Sequence, residues 1–374
     1  MALKVLHIVG ARPNFMKAAP VIEALKKHRN VSQLLVHTGQ HYDPRMSKVF
    51  FEELDLPQPD VNLEVGSGTH AVQTAQIMQR LEPLLRERRP HLVLVYGDVN
   101  STAAAALTAV KLWIPVGHVE AGLRSFDLTM PEEINRMVTD RISDLLFTPS
   151  EDGDRNLERE GVGEERIFRV GNAMIDTVVR LLPKAEENWD AVRSRYGLGR
   201  YGLVTLHRPS NVDDPQRLKA LLKTLSEVSR EIPLLFPIHP RTRRRLEELD
   251  IRVESPSLKL TEPVGYLEFL CLQAHATLVI TDSGGIQEET TYLKVPCITV
   301  RRNTERPVTC ELGTNVLVGH DMQRLHEEAM RILRGGARDG SVPPLWDGRA
   351  GERVAAVVAR VKPGSFPAEL EDSA

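Results

Sequence analysis

The residues able to do chemistry fall at regular places in this sequence, because nearly every short apolar run ends in one. Arg12 follows Leu3–Val9, Gln40 and His41 follow Leu34–His37, and Asp98 follows Leu92–Tyr96. Glu120 comes after Pro115–Val119, His207 after Gly202–Leu206, His239 after Leu234–Ile238, and Ser283 after Ala276–Asp282. The result is a set of carboxylates (Asp98, Glu120, Glu132) and histidines beside the cations Arg12, Lys17, Arg136 and Arg306. Carboxylates and histidines in one site can give and take protons. Cations of this kind neutralise a diphosphate, arginine through its bidentate fork. Each residue alone also has an ordinary role. Asp98 could cap the next helix, and His207 and His239 could be hydrogen-bonded strand-end histidines. Thr129 to Glu132 fits a capping box at a helix start, and Glu132 with Arg136 fits an i,i+4 ion pair, which spacing alone favours.

Ser283-Gly284-Gly285-Ile-Gln-Glu288-Glu289 is the most telling stretch. Two glycines after an apolar run let backbone approach a ligand, and the helix they open presents free N–H groups suited to phosphate. Glu288 and Glu289 follow closely enough to accept hydrogen bonds from sugar hydroxyls, a combination that fits a sugar nucleotide. A plain strand-to-helix turn with acidic residues near the helix start accounts for the same letters.

These residues require elements to hold them. Short apolar runs alternate with amphipathic stretches, the pattern of βα units and parallel sheets. One series runs from Leu3 to about Asn172, and a second from Gly202 to Val300, joined by the amphipathic stretch Met174–Tyr196. The expected architecture is α/β, with two doubly wound parallel-sheet domains facing a cleft where ligands bind beyond the strands' carboxyl ends. The domains are expected at 1–172 and 173–351, with a helix over 352–362 packing back on the first. At 374 residues two domains is also the natural count.

Composition narrows the function classes. With 41% hydrophobic and 26% charged residues and a net charge of -3, no bulk argument exists for nucleic acid or a membrane surface. Three cysteines without Cys-x-x-Cys spacing point to no disulfide framework, no zinc site and a reducing compartment. No apolar run approaches a membrane span and no signal pattern opens the chain, so a cytoplasmic location is expected. Gly10-Ala-Arg-Pro is not the Gly-x-Gly-x-x-Gly fingerprint, and no Gly-Lys-Ser/Thr phosphate loop occurs, so NAD and ATP lack their usual signatures. No cofactor or metal is expected.

Taken together, seven ordered segments resemble the non-hydrolysing UDP-N-acetylglucosamine 2-epimerases. They are Gly10-Ala-Arg-Pro-Asn-Phe-Met-Lys17, Thr38-Gly-Gln-His-Tyr42, Tyr96-Gly-Asp98, Gly117-His-Val-Glu-Ala-Gly-Leu-Arg124, Pro131-Glu-Glu-Ile-Asn-Arg136, Thr281-Asp-Ser-Gly-Gly-Ile-Gln-Glu-Glu289 and Asn303-Thr-Glu-Arg-Pro307. The resemblance implies the GT-B glycosyltransferase-like fold, two Rossmann-like domains, and a homodimer. It implies C2 epimerisation of UDP-N-acetylglucosamine to UDP-N-acetylmannosamine, by UDP elimination to a 2-acetamidoglucal and re-addition. By the same resemblance Asp98, Glu120, Glu132 and His207 are catalytic. Arg12, Lys17, Arg136, His239, Ser283, Gly284, Gly285, Glu289 and Arg306 bind substrate. Gln40 and His41, with His239, resemble contacts to a second UDP-N-acetylglucosamine that acts as an activator. Relatives acting on UDP-2,3-diacetamido sugars share some of these spellings, and a GT-B glycosyltransferase is the other enzymatic alternative. After His207-Arg208 the chain reads Pro209-Ser210-Asn211, where many members continue Arg-Glu.

Overall fold

A computed structural model describes residues 2–40, 58–251, 253 and 255–364. His41 lies outside the described residues. The chain divides into two compact units, 1–180 with 344–374, and 181–343. The crossing falls between Arg180 and Leu181, inside the helix Ala173–Glu186.

The first unit is built on seven parallel strands in the order β3-β2-β1-β4-β5-β6-β7. These are β1 (Leu3–Val9), β2 (Val31–His37), β3 (Val61–Asn62), β4 (Leu92–Tyr96), β5 (Val116–Val119), β6 (Leu145–Thr148) and β7 (Ile167–Arg169). Parallel strands covered on both faces read as unbroken apolar runs, and all of β4 is buried. Leu6, Ile8, Val93 and Val95 meet Ile77, Leu81 and Leu85 of the helix His70–Arg88 in one core. Ala104, Ala105, Ala106 and Ala109 of the helix Asn100–Lys111 join them, and their small side chains let that helix lie close to the sheet. The short strands β6 and β7 and the two-residue β3 are too brief to show a period of their own in the sequence.

The terminal helix Ala350–Val358 belongs to this unit. Asp176 accepts from the Ala350 and Gly351 amides (3.0 and 2.7 Å), satisfying donors at the helix start. Gly351 lies against the helix Arg12–Lys26, where a Cβ would come within 2.5 Å of the Pro20 carbonyl oxygen.

The second unit has six parallel strands in the order β10-β9-β8-β11-β12-β13. They are β8 (Gly202–Thr205), β9 (Leu234–Pro237), β10 (Leu258–Thr261), β11 (Leu278–Thr281), β12 (Cys297–Thr299) and β13 (Asn315–Leu317). Its core joins Val204, Phe236 and Ile280 to Leu218, Leu221 and Leu225 of the helix Pro215–Val228, with Leu325 and Ala329 of Met322–Leu333. In each sheet the strand order reverses direction once, between β1 and β4 and between β8 and β11. Ligands of doubly wound sheets bind at such a point, beyond the strand ends.

Candidate functional site

In the first unit the chemistry-bearing residues leave the sheet around its reversal point. The turn after β1 is tied to the end of β4: Asn14 accepts from the Gly10 and Ala11 amides (3.1 and 3.0 Å) and donates to the Tyr96 carbonyl (2.7 Å). Gly10 is required here, because a Cβ would lie 2.1 Å from Ser101 Oγ. One turn further, Lys17 is buried and ion-paired with Glu120 from the end of β5, which is equally buried. Glu120 has φ +78, a left-handed conformation that costs a non-glycine residue energy and collects at functional sites. Gly97, at φ +64, sits against this pair: a Cβ there would be 2.9 Å from Lys17 Nζ and 3.2 Å from Glu120 Oε2.

Asp98 follows Gly97 and is held by Arg136 Nη1 at 2.5 Å. Arg136 is almost fully buried in the helix Pro131–Ile142 and turns its other nitrogens to Glu133 (3.0 and 2.5 Å). Glu133 in turn accepts from the Ser125 and Phe126 amides at 3.1 and 2.8 Å. Burial pushes the Glu133 carboxyl up, but the Ser125 amide and the Arg136 guanidinium outweigh it and hold it below its ordinary range. The ordinary roles left open by spacing are therefore replaced. Asp98 does not cap the next helix, whose N-cap is Val99. Arg136 is engaged three residues back, by Glu133. The expected capping box is not formed either: Met130 is the N-cap without a side-chain bond, and Thr129 Oγ1 donates to Asp127 at 2.6 Å. The Asp127 turn holds Thr129 instead, taking both its amide and its hydroxyl.

Glu132 is half-buried and lines a polar cavity with Gln40, His70, Asn100 and Asn135. Gln40 is buried, and its side-chain oxygen accepts from the Ser101 amide and hydroxyl (3.0 and 2.6 Å). Arg12 is exposed at the start of its helix. Behind these groups lies a network to which the sequence assigned no role. His118 links the Asp140 carboxylate (2.6 Å) to the Gly97 carbonyl (2.8 Å), and Asp140 also takes Arg124 at 2.7 Å. This fixes the backbone that carries Asp98. His118 and Arg124 lie in the Gly117–Arg124 segment and Glu133 lies beside Glu132, whereas nothing in the sequence marked Asp140.

In the second unit, Ser283 is the N-cap of the helix Gly284–Leu293 and makes no side-chain cap bond. A Cβ on Gly284 would lie 2.5 Å from Arg306 Nη1 and 2.7 Å from Glu305 Oε1, so Arg306 stands directly at this turn. Arg306 pairs with Glu305 and, at 2.8 Å, with Glu288. Arg301 and Arg208 also approach Glu305 (2.6 and 3.8 Å). Burial would push the Glu305 carboxyl up, yet these arginines hold it well below its usual range. Glu288 thus stands in a buried ion pair with Arg306. Glu289 differs: it is buried, accepts from the Tyr266 hydroxyl at 3.0 Å, and burial pushes its carboxyl up to about 7. His207 lies beside His239, ring centroids 5.7 Å apart, and His239 Nδ1 accepts from the Arg241 amide at 3.2 Å as a helix cap. Among the described residues no three His, Cys, Asp or Glu side chains converge as metal ligands would.

Two Rossmann-like units, one carrying carboxylates clamped to cations and the other a glycine turn facing an arginine, define a protein of the GT-B glycosyltransferase-like class. The sequence profile of the UDP-N-acetylglucosamine 2-epimerase family matches residues 23–359, and the chain belongs to that family. It is 46% identical to a UDP-N-acetylglucosamine 2-epimerase of Methanocaldococcus jannaschii over 95% of this chain and 99% of that protein. A crystal structure of the M. jannaschii enzyme in complex with UDP-GlcNAc and UDP superposes with a TM-score of 0.88, covering 95% of this chain and 99% of the other. A UDP-2,3-diacetamido-2,3-dideoxy-D-glucuronate 2-epimerase of Pseudomonas aeruginosa is 41% identical over 96% of this chain and all of that protein. No helix is long and apolar enough to cross a membrane among the described residues.

Proposed function

We propose that this protein reversibly converts UDP-N-acetylglucosamine to UDP-N-acetylmannosamine, and that it does so without a cofactor. The C2 hydrogen of an N-acetylhexosamine is not acidic, so the inversion proceeds by elimination. C2 loses a proton as the bond from C1 to the UDP oxygen breaks, leaving 2-acetamidoglucal and UDP. UDP then re-adds at C1 while a proton arrives at C2 from the opposite face. This needs an acid and a base on two sides of one carbon, and fixed cations where charge grows on the departing diphosphate. The observation that carries the reading is the pairing of Glu120 with Lys17 and Asp98 with Arg136 at adjoining strand ends. Asp98, Glu120 and Glu132 act on the sugar. His207, with Arg12 and Arg306, supports the leaving phosphate. Ser283, Gly284, Gly285 and Glu289 hold the UDP, and His239 contributes to substrate binding.

Turnover of UDP-N-acetylglucosamine in deuterium oxide, followed by proton NMR, tests the reading. The expected product is UDP-N-acetylmannosamine carrying deuterium at C2. An epimer without deuterium, or free hexosamine, would overturn it. The 41% identity to the P. aeruginosa enzyme favours a second substrate, a UDP-2,3-diacetamido uronate; a larger kcat/KM for that sugar in the same assay would establish it as the preferred one.

The further assignments are a cytoplasmic location, a homodimer, and a second UDP-N-acetylglucosamine as activator near Gln40 and His41. The dimer is supported by Ile134, Met137 and Val138, exposed on one face of the helix Pro131–Ile142, with Phe126 and Leu128 exposed on the preceding loop. Sedimentation equilibrium at twice the chain mass is the expected result. Sigmoidal dependence of rate on UDP-N-acetylglucosamine, abolished by Gln40→Ala, would mark the activator.

A further inference from the structure

We propose that Asp282 is a positioning residue: it grips the His207 ring through Nδ1, so that Nε2 is the atom offered to the departing phosphate. The inference deepens the reading above and rests on it for the role of His207. Its basis is the sheet. β8 and β11 are neighbours, in register at Thr205 and Thr281, so both chains leave the sheet side by side at the reversal point. Asp282 is fully buried there, and its amide donates to the Thr205 carbonyl at 3.3 Å. Its carboxylate accepts from the His207 and Arg208 amides (3.1 and 2.9 Å) and stands 3.2 Å from His207 Nδ1. Asn211 Nδ2 pins the same carboxylate at 3.0 Å and reaches the Val300 carbonyl at 2.9 Å, which ties the ends of β8, β11 and β12 together. The Pro209-Ser210-Asn211 spelling thus supplies the amide that holds Asp282 in place.

The chemistry follows from hydrogen-bonding capacity. An ionised carboxylate only accepts, so the nitrogen facing it must carry the proton. Burial would push the Asp282 carboxyl up, but the His207 and Asn211 bonds hold it below its ordinary range, so it is ionised at neutral pH. A neutral His207 ring is therefore the Nδ1–H tautomer. Its side chain is 39% exposed and would otherwise sample both faces and both tautomers. Partners of this kind orient a histidine and set its tautomer without touching the substrate.

The test uses full-length protein labelled with ring-15N histidine, read by long-range proton–nitrogen NMR, with the His207 signals identified by their loss in H207Q. The expected wild-type result is the Nδ1–H tautomer, with D282N losing it. Replacing the aspartate in the serine-protease triad lowers kcat about 10⁴-fold; here, with His207 supporting a leaving group rather than a nucleophile, D282N is expected to lower epimerisation kcat about 10²-fold. KM should change less than about threefold, and in the H207Q background D282N should cost less than about threefold more, because the two residues act as one unit. An Nε2–H tautomer in the wild type overturns the proposal whether or not D282N folds. A folded D282N with wild-type kcat, or fully additive losses, overturns it as well. If wild-type protein has no epimerase activity, the proposed function falls, while the ring measurement still decides the tautomer.

Discussion

Glu289→Gln is expected to make the ligand-free protein more stable at alkaline pH while weakening its hold on UDP. The Glu289 carboxyl is 3% exposed and its value lies at about 7, against an ordinary 4.5, with burial as the leading cause. Between those two values the folded chain keeps a proton that the unfolded chain has released. Stability therefore falls by about 1.4 kcal/mol for each pH unit across that window and is level outside it. The arithmetic is 7 − 4.5 = 2.5, a penalty of about 3 kcal/mol at pH 8 and about 1.4 kcal/mol at pH 5.5. Glutamine has no proton to release, so the gain from the substitution should grow by about 2 kcal/mol between pH 5.5 and pH 8. A chain of two units need not unfold in one step. The quantity to follow is hydrogen exchange of the β11 and β12 amides, which reports the opening of the second unit. UDP affinity measured by calorimetry at pH 8, where the wild-type carboxylate is charged, should fall about tenfold or more, the loss expected for a hydrogen bond to a charged acceptor. A variant less stable than wild type at pH 8, or a gain that does not change with pH, would refute the reasoning. So would unchanged UDP affinity.

Arg136→Met should destabilise the first unit by about 3–5 kcal/mol, since it leaves the buried Glu133 carboxylate without its counter-ion, and adding Glu133→Gln should restore part of that loss in urea unfolding. Gly97→Ala should lower kcat at least about 10²-fold, because it forces a β-carbon at positive φ into the Lys17–Glu120 pair and displaces groups that must be held to a fraction of an ångström. Glu120→Gln should lower kcat about 10²–10⁴-fold with UDP binding nearly unchanged, as removal of an acid–base group does. Gly351→Val should lower stability by about 1–3 kcal/mol through overpacking against Pro20, read as a lower thermal midpoint with kcat per folded molecule retained.

Much of the architecture could be read from the letters. The buried strands β1 and β4 are runs of apolar residues with nothing to interrupt them, and the helices between carry their own period, so the two series of βα units follow from local pattern. Strand ends gather at one edge of each such sheet, which is why Asp98 and Glu120 could be marked in the first unit and His207 and Ser283 in the second. Local pattern failed where elements are too short to show a period, as at β3, β7 and β13, and where a loop competes for a side chain, as Asp127 does for Thr129.

The sequence by itself determined the family, the fold class and the list of groups at the strand ends, because these depend on residue type and order. Only the tertiary structure decided which partner each group takes. Arg136 serves Asp98 and Glu133, Glu288 pairs with Arg306 while burial pushes the Glu289 carboxyl up to about 7, and Asp282 faces His207. Those outcomes depend on burial and on contacts between residues as far as 75 positions apart, such as His207 and Asp282. No window of sequence contains them, because a charge chooses its partner by distance in space and by the cost of leaving water.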